Sequence, residues 1–489
     1  MSSFQKIKNF CKKPGFILAL ILLIFLLKEL ALIAVLPIFN GYDEARHYNT
    51  IQYLAEPEEK NWPKNEKKEI KNGDLVQRFN YTEEIKKTAE KIRCVGGEDK
   101  CDLYKNNLFG EGFAGKNETE INSRPWKQYN TDYPVNMASS GRSFYHKLTA
   151  EIEKLLGKES ILIRFYALRV FSALLGTIVI FIFYLILKNS GFSQKHSFLL
   201  TAIISFQPRF SFYYAYINYD AFLILFFALF TLGAVLFIKN GLNWKNLSLM
   251  LLAIFLGIWT KGTAFILLAV FIFIIPFLLF YKKRFFENYS KKYWLYFLLA
   301  ISPICILLIF QKYLPLAGNF NEIISSFTQY FMKNIEPGLL TLSSKTYWGE
   351  FPIKSWTSNY LLNIIWSIQF ISIIGLFIFI FSKKRPEFLP EKKYVLFFIL
   401  MLIALQAGIR AADWKYFAKF GELELQTPGR YFFPNLALHI SLVFVGLGMI
   451  LKAIKKEIHF DFVLSVGLVL MFVFFMHYLF NFIILDFYL

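Results

Sequence analysis

Unbroken apolar runs constrain this chain more than any other feature. Stretches 15–36, 162–187, 293–310 and 432–450 each reach the length of about 20 residues that carries an α-helix across a hydrocarbon core of roughly 30 Å. In lipid every backbone N–H and C=O must find its partner within the protein, which leaves helices or a closed barrel. The runs are continuous rather than alternating, so a barrel is excluded and a helix bundle remains. Composition agrees, because 56% hydrophobic and 19% aromatic residues over 489 positions exceed what a soluble fold hides from water. The chain reads as an all-α polytopic membrane protein with about 11 transmembrane helices.

Spans are expected at 15–37, 161–187, 197–217, 220–238, 246–259, 262–281, 293–313, 359–381, 394–410, 431–451 and 459–486. Only Thr260-Lys261-Gly262-Thr263 parts the fifth from the sixth. Merging them would place Lys282 to Lys292 on the wrong side of a regular charge pattern. The net charge of +19 is spread over alternate loops, which argues against a nucleic-acid surface. Lys6, Lys8, Lys12 and Lys13 precede the first span, and basic clusters recur around Lys188, Lys239, Lys282, Lys383 and Lys452. The positive-inside rule then puts the N-terminus in the cytoplasm of a plasma (inner) membrane. The first run is of spanning length and no small-residue cleavage site follows it, so it reads as an anchor rather than a signal peptide.

This topology divides the chain into a basic cytoplasmic N-terminus (1–14), the first helix (15–37), a large mixed extracytoplasmic loop domain (39–160), helices two to seven (161–312), a second outer loop (313–360) and helices eight to eleven (361–489). A short third outer loop is expected at 411–430. The first loop, with an amphipathic stretch near Tyr81 to Ile92, reads as a helical and irregular cap. It also holds Cys94 and Cys101, either a short disulfide in an oxidising compartment or two free thiols. No internal repeat is visible, and no Cys/His spacing resembles a zinc site.

Polar residues at the outer ends of spans are the candidates for chemistry, since charge near hydrocarbon is costly and tends to be kept for use. After the first span come Asp43 and Glu44, then Arg46 and His47. If Glu44 opens a helix, His47 shares its face one turn on, and a carboxylate beside lipid has its pKa raised toward base range; the plainer alternative is a capped helix with solvated charges. Asp220 stands where the N-cap of the fourth span would be, and Arg209 lies deep enough to need a partner or a wet cavity. Lys261 either snorkels or offers an ammonium to a phosphate at the lipid boundary. In Thr427-Pro428-Gly429-Arg430-Tyr431 a glycine beside an arginine lets backbone and guanidinium approach one anion together. Carboxylates and cations on one rim are the parts needed to move a sugar from a polyprenyl-phosphate carrier, with the cations meeting charge that develops on the leaving phosphate. A phosphate leaves without protonation, so one carboxylate base suffices, unlike the acid and base pair of glycoside hydrolysis.

The stretch Asp43 to His47, Asn218-Tyr219-Asp220-Ala221, Trp259-Thr260-Lys261, Tyr347-Trp348-Gly349 and Thr427 to Tyr431 resemble an uncharacterised polytopic family, domain of unknown function 2142. That family is similar in turn to the GT-C superfamily of lipid-phosphate-sugar glycosyltransferases. The resemblance spans about 40 to 435. It implies a GT-C-like fold, Asp43 as the acid that acts as base with Glu44 beside it, Asp220 as a second acidic position, and Lys261 and Arg430 near the carrier phosphate. Arg209 joins them as a third donor-phosphate candidate, with His47, Tyr431 and Trp348 as further site residues. Where many relatives have a Pro-Pro-x-Tyr-Tyr-like stretch, this chain has Ser139 to His146, which leaves the acceptor side open with Arg142 and His146 as its candidates.

The expected activity is thus an inverting transfer from a polyprenyl-phosphate sugar donor to a glycan, lipid or protein acceptor on the extracytoplasmic side. A lipid-linked glycan flippase, polymerase or transporter is the alternative, although transporters tend to show repeats and midplane polar groups; a scaffold without chemistry would tolerate loss of Asp43. No cofactor is firmly implied, and one divalent ion on Asp43, Glu44 and Asp220 stays open. The topology is directly testable. In a background whose four native cysteines are serine, Lys127→Cys is expected to react with a membrane-impermeant maleimide from outside intact cells. Reaction only after cytoplasmic exposure would reverse the orientation.

Overall fold

A computed structural model describes residues 14–36, 38–39, 41, 43–55, 84–85, 88, 143–241, 243–281, 320–335, 337–349, 359–421 and 428–484. The expected span 293–313, most of 39–160, Cys94, Cys101 and Arg142 lie outside the described residues. Among those described there is helix and turn but no strand.

In chain order the helices are α1 (Pro14–Val35), α2 (Glu44–Ala55), α3 (Phe144–Leu155), α4 (Ile161–Asn189), α5 (Gln194–Ser205), α6 (Pro208–Tyr214), α7 (Asp220–Asn240), α8 (Trp244–Thr260), α9 (Phe265–Tyr281), α10 (Phe320–Ile335), α11 (Pro337–Trp348), α12 (Asn359–Phe381), α13 (Lys392–Phe420), α14 (Leu436–Ala453) and α15 (Phe460–Tyr478). Among the described residues seven helices are long and apolar enough to cross a membrane, namely α1, α4, α7, α12, α13, α14 (with the turn before it) and α15 (with short turns at both ends). Leu27, Phe370, Phe377, Phe462 and Val469 face outward, the arrangement expected where the solvent is lipid. Each expected span other than 293–313 falls on one or two of the helices α1 to α15, with 197–217, 246–259 and 262–281 on shorter helices than the seven.

Two spans differ from expectation for identifiable reasons. The third is broken, because Pro208 has no N–H to continue α5 and instead starts α6, where the Gln207 side chain accepts the Phe210 N–H. The ninth does not stop near 410. α13 runs on to Phe420 and ends at Gly421 with φ 73°, a left-handed C-terminal cap, so residues 411–420 of the expected third loop are helix. Its extension is held against α10, where the Tyr330 hydroxyl donates to Asp413 at 3.0 Å. The expected second outer loop likewise carries α10 and α11.

α7 runs through the middle of the bundle, with most of its side chains buried against α4 and α8. Basic residues gather at one end of the bundle: Lys195 and His196 meet Asp461, Lys239 meets Asn189, and Lys452 reaches the Lys384 carbonyl. The candidate residues lie at the opposite end. Between them α1 buries a Lys28–Glu29 ion pair at 3.1 Å, with Lys28 also bonded to Ser205 and Ser211.

α12 and α14 cross in near backbone contact. A Cβ at Gly375 would stand 2.0 Å from the Gly446 carbonyl oxygen, and one at Gly446 would stand 2.1 Å from that of Ser372. Small residues permit such approach, which replaces the hydrophobic drive that lipid removes. Gly446→Ala should therefore lower the thermal unfolding midpoint of the purified protein, as overpacking of about 1–3 kcal/mol does. Gly15→Ala, with nothing within 4 Å, should leave the midpoint unchanged or raise it, because alanine favours helix. An unaltered midpoint for Gly446→Ala would place the crossing elsewhere.

Candidate functional site

Glu44 opens α2, which puts His47 three residues on and on the same face. Its setting is a buried clamp rather than a solvated helix start. Arg169 of α4 donates from Nε to Oε1 at 2.8 Å and from Nη2 to Oε2 at 2.7 Å. The Ile217 N–H donates to Oε1 at 3.0 Å and the Gly41 N–H to Oε2 at 2.9 Å. Arg169 also reaches the Leu36 carbonyl at 2.7 Å. Both side chains are 0% exposed. Each carboxylate oxygen thus accepts two hydrogen bonds, which uses the roughly four lone-pair sites that a carboxylate has and leaves none for a metal ion or a substrate proton.

Asp43 lies one residue earlier and is set quite differently. Its φ of 55° is uncommon for a residue other than glycine. Its carboxylate is 36% exposed and accepts a 3.1 Å bond from Arg46. Gly41 lets the turn approach the connection from α6 to α7, since a Cβ there would stand 2.5 Å from Tyr216.

A second cluster forms where α7, α8 and the turn before α14 meet. Asp220 is the first helical residue of α7, and the Asn218 side chain accepts its N–H, so the expected N-cap role falls to a neighbour. The Asp220 carboxylate is turned to other partners: Lys261 Nζ at 2.7 Å and the Tyr213 hydroxyl at 2.8 Å. Lys261 is the extended residue that ends α8, where the helix carbonyls favour a cation. Its ammonium is 4.7 Å from the Tyr219 ring and 4.9 Å from the Tyr431 ring. Burial works against this charge, but Asp220, Tyr219 and Tyr431 outweigh it and hold the ammonium above its usual pKa. Arg430 is also close to Tyr431, 5.2 Å from that ring.

The Arg430 turn is docked on α11. A Cβ at Gly429 would meet the Ser343 oxygen and Tyr347 nitrogen at 2.3 Å, and the Gly429 N–H donates to Thr346 at 2.7 Å. Trp348 supports this from beneath, with its ring 5.2 Å from Tyr347 and 6.1 Å from His439. Arg209 is buried beside Phe212, 5.5 Å from its ring, and shares Tyr216 as an electrostatic neighbour with Arg430.

His47 joins the two clusters. Its Nδ1 is 3.0 Å from His146 Nε2, and its ring is 4.8 Å from Tyr219. Burial, with help from Lys261, Arg430 and Arg46 against the opposing pull of Asp220, lowers His47 to about 3. Burial and His47 push His146 well below its usual value. The fold thus brings Asp43, Glu44, His47, His146, Asp220, Lys261, Arg430 and Tyr431 to one end of the bundle. Arg169, Tyr213 and Tyr219 were not singled out in the sequence, although an arginine inside an apolar run was a usable signal for the first. Among the described residues no three His, Cys, Asp or Glu side chains gather as a metal set.

Residues 138–320 match the family model of the dolichyl-phosphate-mannose-protein mannosyltransferases, a family of membrane glycosyltransferases. No curated protein matches the chain. The matched stretch holds His146, Arg169, Arg209, Asp220 and Lys261, while Asp43, Glu44, Trp348, Arg430 and Tyr431 fall outside it. The match supports the likeness to the GT-C superfamily and does not bear on the uncharacterised family.

The lowered histidines have a consequence for stability. Between pH 3 and about 6.5 the unfolded chain binds protons at these positions that the folded chain does not, so their effect is to favour folding less and less as pH falls through that window. The unfolding midpoint should drop between pH 7 and 4, and His47→Phe should make that drop shallower. Identical pH profiles for the two proteins would mean that His47 titrates normally.

Proposed function

We propose that this multi-pass membrane protein is a glycosyltransferase that takes a sugar from a polyprenyl-phosphate donor and passes it to a hydroxyl of a glycan, lipid or protein acceptor on the extracytoplasmic face. The observation that carries the reading is the Asp220-bound Lys261 ammonium close to the Tyr219 and Tyr431 rings, with Arg430 near the second ring. Fixed cations at the end of a helix bundle suit a lipid phosphate whose tail stays in the membrane. The mannosyltransferase match over the part of the chain that holds Asp220 and Lys261 supports the same class.

In this mechanism the Asp43 carboxylate takes the proton of the acceptor hydroxyl as its oxygen attacks the anomeric carbon. The bond from that carbon to the phosphate oxygen breaks, and polyprenyl phosphate leaves with the electron pair. Lys261 and Arg430 meet the charge that develops there, which is most effective when the donors are already in place. Attack opposite the leaving group inverts the anomeric centre. Among the three acids Asp43 suits the base role best, because Glu44 is saturated and Asp220 is committed to Lys261 and Tyr213.

Asp43→Asn keeps the volume and removes the basicity, so turnover with a polyprenyl-phosphate sugar should fall by about 100-fold or more while donor binding is retained. Arg430→Ala should weaken donor affinity instead, by the roughly 1.5 to 3 kcal/mol of a charge-assisted phosphate contact. A fully active Asp43→Asn protein would sink the base assignment. Equal donor affinity in wild type and Arg430→Ala would reduce Arg430 to a helix-end charge.

A further inference from the structure

The two buried histidines form part of a longer hydrogen-bonded chain whose direction can be read from its first member. Ser143 caps α3: its Oγ accepts the His146 backbone N–H at 3.2 Å and lies 2.8 Å from His146 Nδ1. Ser143 is buried. Were His146 Nδ1 the donor, the same oxygen would accept twice from one residue and its own proton would be left to find a partner in a buried place, which is costly. The economical arrangement is that the Ser143 hydroxyl donates to His146 Nδ1.

The rest follows from the chemistry of neutral imidazole, which carries one N–H and one lone pair. With Nδ1 accepting, His146 bears its proton on Nε2 and donates it to His47 Nδ1, 3.0 Å away. His47 Nδ1 is then the acceptor, and its proton sits on Nε2. No described residue makes a hydrogen bond to that nitrogen, and it is not among the buried unpartnered atoms. The charges that act on the ring are Asp220, Lys261, Arg430 and Arg46, and the Tyr219 ring touched by His47 is also the one beneath Lys261.

We propose that Ser143, His146 and His47 form a one-directional chain that presents His47 Nε2–H as a neutral donor to a hydroxyl oxygen of the transferred sugar. The inference rests on the transferase reading above. A neutral N–H adds little to a phosphate already served by Lys261 and Arg430, whereas a sugar oxygen is matched by a neutral donor beside the Tyr219 ring. Burial of both rings favours their uncharged forms, without which the direction of the chain would be lost. His47 in this role binds and orients the sugar; Ser143 and His146 are positioning residues that act through it.

Two measurements on the full chain in lipid nanodiscs test this. With ring-15N histidine, NMR at pH 7 should find His47 as the Nε2–H tautomer, and Ser143→Ala should shift it toward a mixture. A His47 proton on Nδ1, or a His47 tautomer unmoved by Ser143→Ala, would overturn the chain. For the ligand, the probes are dolichyl phosphate and dolichyl-phosphate mannose. Wild type should bind the mannosyl lipid more tightly than the bare phosphate, and His47→Phe should lose about tenfold of that preference, the scale of one hydrogen bond, with bare-phosphate affinity kept. His47→Gln, which retains an N–H near the Nε2 position, should restore part of it. Undiminished preference in His47→Phe overturns the sugar contact alone. Wild type that binds neither lipid overturns the transferase reading and the sugar contact together, while the tautomer result still decides the chain.

Discussion

The bidentate pair between Glu44 and Arg169 is the contact on which the candidate site's geometry depends. The two residues lie 125 apart in sequence, and both are fully buried. Two charges taken out of water are costly, and removing either partner from such a pair typically loses about 3–5 kcal/mol because the other charge is left stranded. Here the cost is offset by completeness: Glu44 also accepts the Gly41 and Ile217 N–H groups, and Arg169 also serves the Leu36 carbonyl. The last turn of α1, the start of α2, the middle of α4 and the connection from α6 to α7 are thereby fixed to one another. Asp43 precedes the clamp by one residue and His47 follows by one turn. Tyr219 and Asp220 follow Ile217 by two and three residues, so the register of both clusters is set by the same carboxylate.

That dependence explains what could be read from the sequence and what could not. Apolar runs signal spans because lipid demands continuity, and the motifs around Asp43, Asp220, Lys261 and Arg430 were visible because charge at a span end is rare. Arg169 stood out as a charge inside the run 161–187, but its pairing with Glu44 was not visible, since the two lie 125 residues apart. Glu44 therefore read as a catalytic neighbour of the base or a metal ligand, whereas its lone pairs are filled. The break at Pro208 was missed for a related reason, because hydropathy averages over a residue whose lack of an N–H ends a helix. The extension of α13 to Phe420 was hidden by its polar composition, and its support by Tyr330 and Asp413 is long-range.

Three carboxylates close in sequence or space have been given different work by their surroundings alone. Glu44 is saturated with donors and holds helices together. Asp220 is divided between Lys261 and Tyr213 and fixes the direction of a cation. Asp43, with one bond to Arg46 and part of its surface open, has capacity left. Residue type alone could not have ranked them, since the ranking comes from how many lone pairs the fold leaves unspent.

The same logic separates the charged from the neutral groups around Tyr219. Lys261, whose ammonium Asp220 stabilises, lies 4.7 Å from that ring; His47 and His146, whose uncharged forms burial favours, lie 4.8 and 5.7 Å from it. A phosphate that gains negative charge as it leaves is best met by cations that need no proton to form. A sugar that must be oriented without being attracted is best met by a donor that carries no charge. Both lie within 5 Å of the Tyr219 ring, and each is held by partners from a different part of the chain: Lys261 by α7, His47 by α3. Burial of the histidines and the pairing of Lys261 with Asp220 both come from the packing, so the polarity of the site is a property of the fold.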